Sequence, residues 1–220
     1  MDILILDGID FVGRHITQAA INAGHQVTLF NRNKINPHLF PEAKRIIGDR
    51  FKSDDMQLLK NQQWDAVIDL NGYLKKTIID ACEVLDENVN HYIYLSSASV
   101  YDLAADLDSL TLHNEITEHS ATDLTSCENA VKAYFPHHHT ILRPGFITGP
   151  YDNTYRLTYW LHRIARGGEV LVPQMYDDRF QMIDARDLAN FVIKSCEAKT
   201  YGIFNIAGPQ QTGGQLLESC

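Results

Sequence analysis

Ile3-Leu4-Ile5-Leu6-Asp7-Gly8-Ile9-Asp10-Phe11-Val12-Gly13 opens the chain, and the reading of this stretch decides the fold. An apolar run of strand length meets a glycine turn. Residues at helical spacing follow (Phe11, Val12, Ile16, Ala19, Ala20) and stop at Gly24. A strand, a tight turn and a helix N-terminus in succession form an anion site, because free backbone N–H groups and the helix dipole point at one place. Gly8 takes up the turn, and Gly13 lets the helix pack closely on the strand.

The same rhythm continues outward from this unit. Strands are expected at Gln26–Phe30, Arg45–Ile47, Asp65–Leu70, His91–Leu95 and His139–Leu142, the last closing the sheet. Helices are expected at Asp54–Asn61, Lys75–Leu85 and Ala121–Tyr134. Strand–helix alternation produces an α/β fold, a doubly wound parallel sheet of the Rossmann type with helices on both faces. Residues 1–150 are read as the nucleotide-binding domain. Beyond Pro144 the rhythm changes: helices at Tyr155–Arg166 and Leu188–Glu197 are interleaved with strands at Val170–Val172, Phe180–Ile183 and Phe204–Ile206. Residues 151–220 hold too little apolar material for a core of their own. They are read as a partial substrate region packed on the sheet edge, truncated at the start of a final helix.

Composition narrows the function classes. Of the 220 residues 45% are hydrophobic and 21% charged, ordinary globular values. No apolar run reaches the roughly 18–20 residues of a membrane span, and no basic segment precedes the first apolar stretch. A cytoplasmic protein is expected. The net charge of −9, with scattered Lys and Arg, argues against general affinity for nucleic acid. Cys82, Cys127, Cys196 and Cys220 are widely spaced and read as reduced thiols. His137-His138-His139 lies on an extended stretch whose neighbours point to opposite faces, so no metal is expected.

The cofactor site follows from the turn. Gly8, Asp10, Phe11, Val12 and Gly13 surround the pyrophosphate position, but the usual motif carries glycines where this chain has Asp7 and Asp10. A carboxylate at Asp10 caps the helix and competes for the N–H groups a dinucleotide uses. Two unit charges ~5 Å apart at an effective dielectric of ~20 repel by about 3 kcal/mol, so binding is weakened or lost. The second strand ends Asn31-Arg32, where an arginine suits a 2′-phosphate, so NADP is favoured over NAD. Asp49 is placed for the adenine edge, and Asn71-Gly72 for the middle of the dinucleotide.

Ile3–His15, Gly24–Arg32, Ser96–Tyr101, Arg143-Pro144-Gly145 with Gly149-Pro150, and Ile183–Ala189 together resemble the extended short-chain dehydrogenase/reductases. Within them the chain is similar to the NAD-dependent epimerase/dehydratase-like reductases, a branch that includes chloroplast stem-loop RNA-binding proteins. The resemblance implies that Ser96 and Pro144 flank the nicotinamide and that Ser97 contacts a substrate oxygen. It implies for Asp184 and Arg186 a structural segment returning the chain to the sheet; capping plus an ion pair is the simpler reading of those residues. It also implies possible dimer contacts through Lys75–Leu85 and Ala121–Tyr134.

The family's acid/base is a tyrosine followed four residues later by lysine, whose ammonium lowers the phenol's pKa. Aligned on Cys127-Glu128, those positions hold Ser120 and Leu124, and none of the ten tyrosines has lysine at +4. Three readings stand. The chain is a catalytically silent dinucleotide-binding protein, or an NADP-dependent reductase using Ser97, Tyr101 or His119 as a nonstandard proton donor, or an RNA-binding relative of the stem-loop proteins. The substrate is a small molecule that the sequence does not identify.

Overall fold

The computed structural model describes residues 1–70, 72–101, 123–172 and 176–220. Asn71, His119 and Ser120 lie outside the described residues. The first half alternates β1 (Asp2–Leu6), α1 (Phe11–Asn22), β2 (Gln26–Asn31), β3 (Lys44–Ile47), α2 (Ser53–Met56), β4 (Ala66–Asp69), α3 (Lys75–Leu85) and β5 (Tyr92–Leu95). The second half follows with α4 (Asp123–Tyr134), β6 (His139–Pro144), β7 (Phe146–Thr148), α5 (Arg156–Ala165) and β8 (Arg179–Asp184). It ends with α6 (Ala185–Ala198), β9 (Gly202–Ile206), β10 (Gln210–Thr212) and α7 (Gly213–Ser219).

Among the described residues, seven strands pair in the order β3-β2-β1-β4-β5-β6-β9, each pair parallel. This is the doubly wound Rossmann-type sheet. β1 lies inside it between β2 and β4, and its period of two divides the core. Leu4 and Leu6 pack with Met56, Trp64, Ile78 and Phe135 on one face. Ile3 and Ile5 pack with Ile16, Leu29 and Val192 on the other. A strand buried on both faces is uniformly apolar, which is why the opening run carries no polar alternation.

Three sequence expectations differ from the structure. Val170–Val172 forms no strand: Leu171 points to solvent, and the segment pairs with no strand among the described residues. The helix expected at Asp54–Asn61 is one turn of α-helix followed by a 3₁₀ turn at Gln57–Leu59. In a 3₁₀ turn residues three apart eclipse, so Met56 and Leu59 both reach the core. The sheet does not close at His139–Leu142. β9 adds outside β6 with Ile203 opposite Ile141, and α6 covers the same face as α1 through Leu188, Ala189, Val192 and Cys196. A smaller sheet, β10-β8-β7, stands beside the large one.

Candidate active site

The carboxyl ends of β1, β4, β5 and β6 converge with the N-terminus of α1 around a cleft of about 450 Å³. This is the crevice that parallel α/β sheets offer to ligands. Asp10, Phe11, Val12 and Gly13 form one wall, and Ser96, Ser97 and Pro144 the other. Gly13 is fixed by packing: a Cβ there would lie 2.8 Å from the Asp7 carbonyl oxygen. At Gly8 a Cβ would lie 2.6 Å from Thr17 Oγ1, whose hydroxyl donates to the Gly8 carbonyl at 2.6 Å. Asp7 stands where the motif has glycine and keeps the glycine backbone, with φ 67°. That left-handed conformation costs roughly 1 kcal/mol for a side-chain-bearing residue.

Asp10 caps α1, its Oδ1 accepting from the Phe11 amide at 3.0 Å. Its Oδ2 accepts from Asn153 Nδ2 at 3.2 Å, so the carboxylate is shared between the helix and the loop after β7. That loop lies against α1 through Tyr151. The Arg14 guanidinium stands 3.5 Å from the Tyr151 ring centre, and His15 Nε2 donates to the Pro150 carbonyl at 2.9 Å. Tyr151 and Tyr155 are both left-handed, with φ 67° and 57°.

Below the cleft a charged network is fully enclosed. Glu128 on α4 accepts from Arg143 Nε at 3.0 Å, Arg143 Nη2 at 2.6 Å and Ser96 Oγ at 2.6 Å. Arg143 Nη1 also donates to the Tyr101 oxygen at 2.8 Å, and the Tyr101 hydroxyl donates to Asn205 Oδ1 at 2.8 Å. Burial works to lower the Arg143 pKa, but its bonds to Glu128 outweigh that and hold the guanidinium protonated. Tyr101 is thus built into the framework and does not line the cleft. Ser97 does line it, its Oγ accepting from the Ser99 amide at 3.1 Å.

The other residues expected to meet the dinucleotide are placed separately. Asn31 is buried, with Oδ1 accepting from the Asn33 amide at 2.8 Å; Arg32 is exposed at the end of β2. Asp49 turns the chain through the Phe51 amide. The adjoining Arg50 makes a buried two-pronged pair with Asp69, at 2.7 and 3.0 Å, which ties this turn to β4. Gly72 carries the carbonyl that accepts from Tyr94 at 2.6 Å. Asp184 caps α6 and pairs with Arg186 at 2.7 Å, the simpler of its two sequence readings.

The cleft also gathers residues that sequence reasoning missed. Tyr73 lines it from the loop after β4, and Thr154 and Arg156 line it from the segment leading into α5. Leu124, at the position where the resemblance puts lysine, is there as well, presenting an alkyl chain. Its position at one turn before Glu128 was the signal for it; Arg156 had none, since it follows an irregular loop.

This fold and this crevice define a class: the chain belongs to the NAD dependent epimerase/dehydratase family, whose model matches residues 3–207. Among characterised relatives, it is 27% identical over 249 residues to the chloroplast stem-loop binding protein of 41 kDa b from Arabidopsis thaliana. That similarity covers 99% of this chain and 62% of the relative, so the chain spans less than two thirds of the relative's length. Solved structures agree in fold. UDP-N-acetylglucosamine 4-epimerase from Bacillus cereus has a TM-score of 0.75 at 18% identity, with 99% of this chain and 79% of that one covered. The Bordetella bronchiseptica enzyme WbmH, solved with NAD+, has a TM-score of 0.80 at 15% identity over 99% and 79%. dTDP-glucose 4,6-dehydratase from Bacillus anthracis, solved with NAD, has 0.77 at 14% over the same shares.

Proposed function

We propose that the chain holds a nicotinamide dinucleotide in this cleft and serves as a dinucleotide-binding protein without tyrosine–lysine proton transfer. The observation that carries this is Leu124: a side chain with no charge and no ionisable proton lines the cleft at the position where the resemblance puts lysine. The fit is good on one side and costly on the other. The first turn of α1, through Val12 and Gly13, offers N–H groups and dipole to a pyrophosphate. Ser96 and Pro144 would flank the nicotinamide, and Ser97 would meet a substrate oxygen. Asp10 and Asp7 oppose the phosphates and lower the affinity. Arg32, exposed at the end of β2, would receive a 2′-phosphate, favouring NADP over NAD. When bound, the dinucleotide supplies hydride chemistry; the chain supplies binding and orientation.

Thermal unfolding with NADPH, NADH and no ligand tests this reading. A ligand present at 100 times its Kd adds about 2.7 kcal/mol of stability, raising Tm by several degrees. No shift with either dinucleotide at millimolar concentration would remove it. A reductase reading is favoured by one observation, the hydroxyls of Ser97 and Tyr73 on the same cleft. It requires NADPH oxidation with a carbonyl substrate that Ser97→Ala or Tyr73→Phe abolishes. An RNA-binding reading draws on the name of the Arabidopsis relative and runs against the net charge of −9. It requires salt-sensitive retention of a stem-loop RNA. Among the described residues no helix is long and apolar enough to cross a membrane.

A further inference from the structure

A second cavity of about 450 Å³ lies across β7 from the cleft. Alternation along this short strand separates the two: Ile147 lines the cleft, while Phe146 and Thr148 line the second cavity. β8 contributes Phe180 and Met182 by the same alternation, and α5 adds Leu157 and Trp160. No residue of α5 is buried, although the helix presents Leu157 and Trp160 on this side. The walls are therefore apolar and partly aromatic, with Thr148 and Arg156 as the polar members.

Arg156 belongs to both cavities. Its guanidinium lies 5.4 Å from the Phe146 ring centre, and no salt bridge among the described residues engages it. A cation therefore stands at the border between an apolar chamber and the proposed dinucleotide cleft. A sugar would leave its hydroxyls unpaired against these walls, which is costly. An apolar body with one anionic head fits them: the body fills the chamber and the head meets Arg156.

We infer that this chamber binds an amphipathic carboxylate, with a medium-length acyl or aryl body between β7, β8 and α5 and the carboxylate on Arg156. The inference rests on the proposed function only in treating the neighbouring cleft as the dinucleotide site.

Decanoate is the probe, with 1-decanol as its uncharged counterpart and tryptophan emission as the readout. Trp64 is enclosed in the sheet core, so Trp160 reports on the chamber. Decanoate should change the emission saturably, and Trp160→Phe should remove the change. Arg156→Ala should weaken decanoate about fivefold, the worth of an exposed ion pair, and leave decanol unchanged. Met182→Glu should abolish binding of both. Equal losses for decanoate and decanol in Arg156→Ala, a signal that does not saturate, or displacement of decanoate by UDP-glucose would overturn the inference. So would a dimer in sedimentation that Met182→Glu dissolves, since a second copy would then fill the chamber. NADPH thermal shifts on the same samples separate the two claims. A shift without decanoate binding removes this inference alone; Arg156-dependent decanoate binding without a shift removes the dinucleotide reading alone.

Discussion

Replacing Asp10 by asparagine should move stability and cofactor affinity in opposite directions. The carboxylate occupies the N-terminus of α1, with Oδ1 on the Phe11 amide and Oδ2 on Asn153. Asparagine keeps a capping oxygen, and its Nδ2 replaces Oδ2, so the Asn153 amide must turn its oxygen inward to keep that contact; the remaining change is the lost charge. A negative charge at a helix N-terminus is worth about 0.3–1 kcal/mol, which for a chain of this size lowers Tm by roughly 1–3 °C. A phosphate entering the cleft would stand against that same charge. At ~5 Å and an effective dielectric of ~20 the repulsion is about 3 kcal/mol; Asp10 is exposed, and solvent screening reduces it to about half. Asp10→Asn should therefore tighten NADPH roughly tenfold. Calorimetric titration gives the affinity, and unfolding of the unliganded variant gives the stability. Unchanged or weaker NADPH binding would refute the idea that charge at position 10 limits the pocket.

Arg32→Ala should weaken NADPH more than NADH in the same titration, and equal losses would remove the case for a 2′-phosphate contact. Glu128→Gln leaves the buried Arg143 guanidinium without its counter-charge and should cost about 3–5 kcal/mol in urea unfolding; a cost below about 1 kcal/mol would mean the network is solvated. His91 is buried beside Tyr201, and burial with nearby His138 lowers its pKa to about 4 from 6.5. A folded-state value below the unfolded one means the unfolded chain binds the proton first. Stability should then fall by up to about 3 kcal/mol as pH drops from 6.5 to 4, and level off below. His91→Gln should flatten that acid limb, and an unaltered limb would assign it to other groups.

The sheet was legible because its strands announce themselves locally. Lys75–Leu85 is helical over the range its spacing predicts, and the opening run is buried on both faces as its composition requires. The place of β9 was not legible, since pairing with β6 across about sixty residues is decided by α6 packing on α1, not by any pattern within Gly202–Ile206. In the cleft, Asp10 and Gly13 follow from turn chemistry, whereas Ser97 and Pro144 are what the family resemblance implied. Tyr73 carried no signal because it has no lysine at +4; the loop after β4 nevertheless opens on the same crevice. Tyr101 follows a strand as a substrate-facing residue would, but its hydroxyl is committed to Arg143 and Asn205. Sequence does not reveal which of two polar partners a side chain turns towards.

The grip of Tyr151 and Asn153 on the first turn of α1 makes the doorway and its frame a single piece. Residue 153 touches residue 10 across 143 positions of chain, so the segment after β7 and the first turn of α1 are held together at one point. Substitution in the 149–155 loop should thereby reshape the α1 end of the cleft without any residue of the glycine turn being altered.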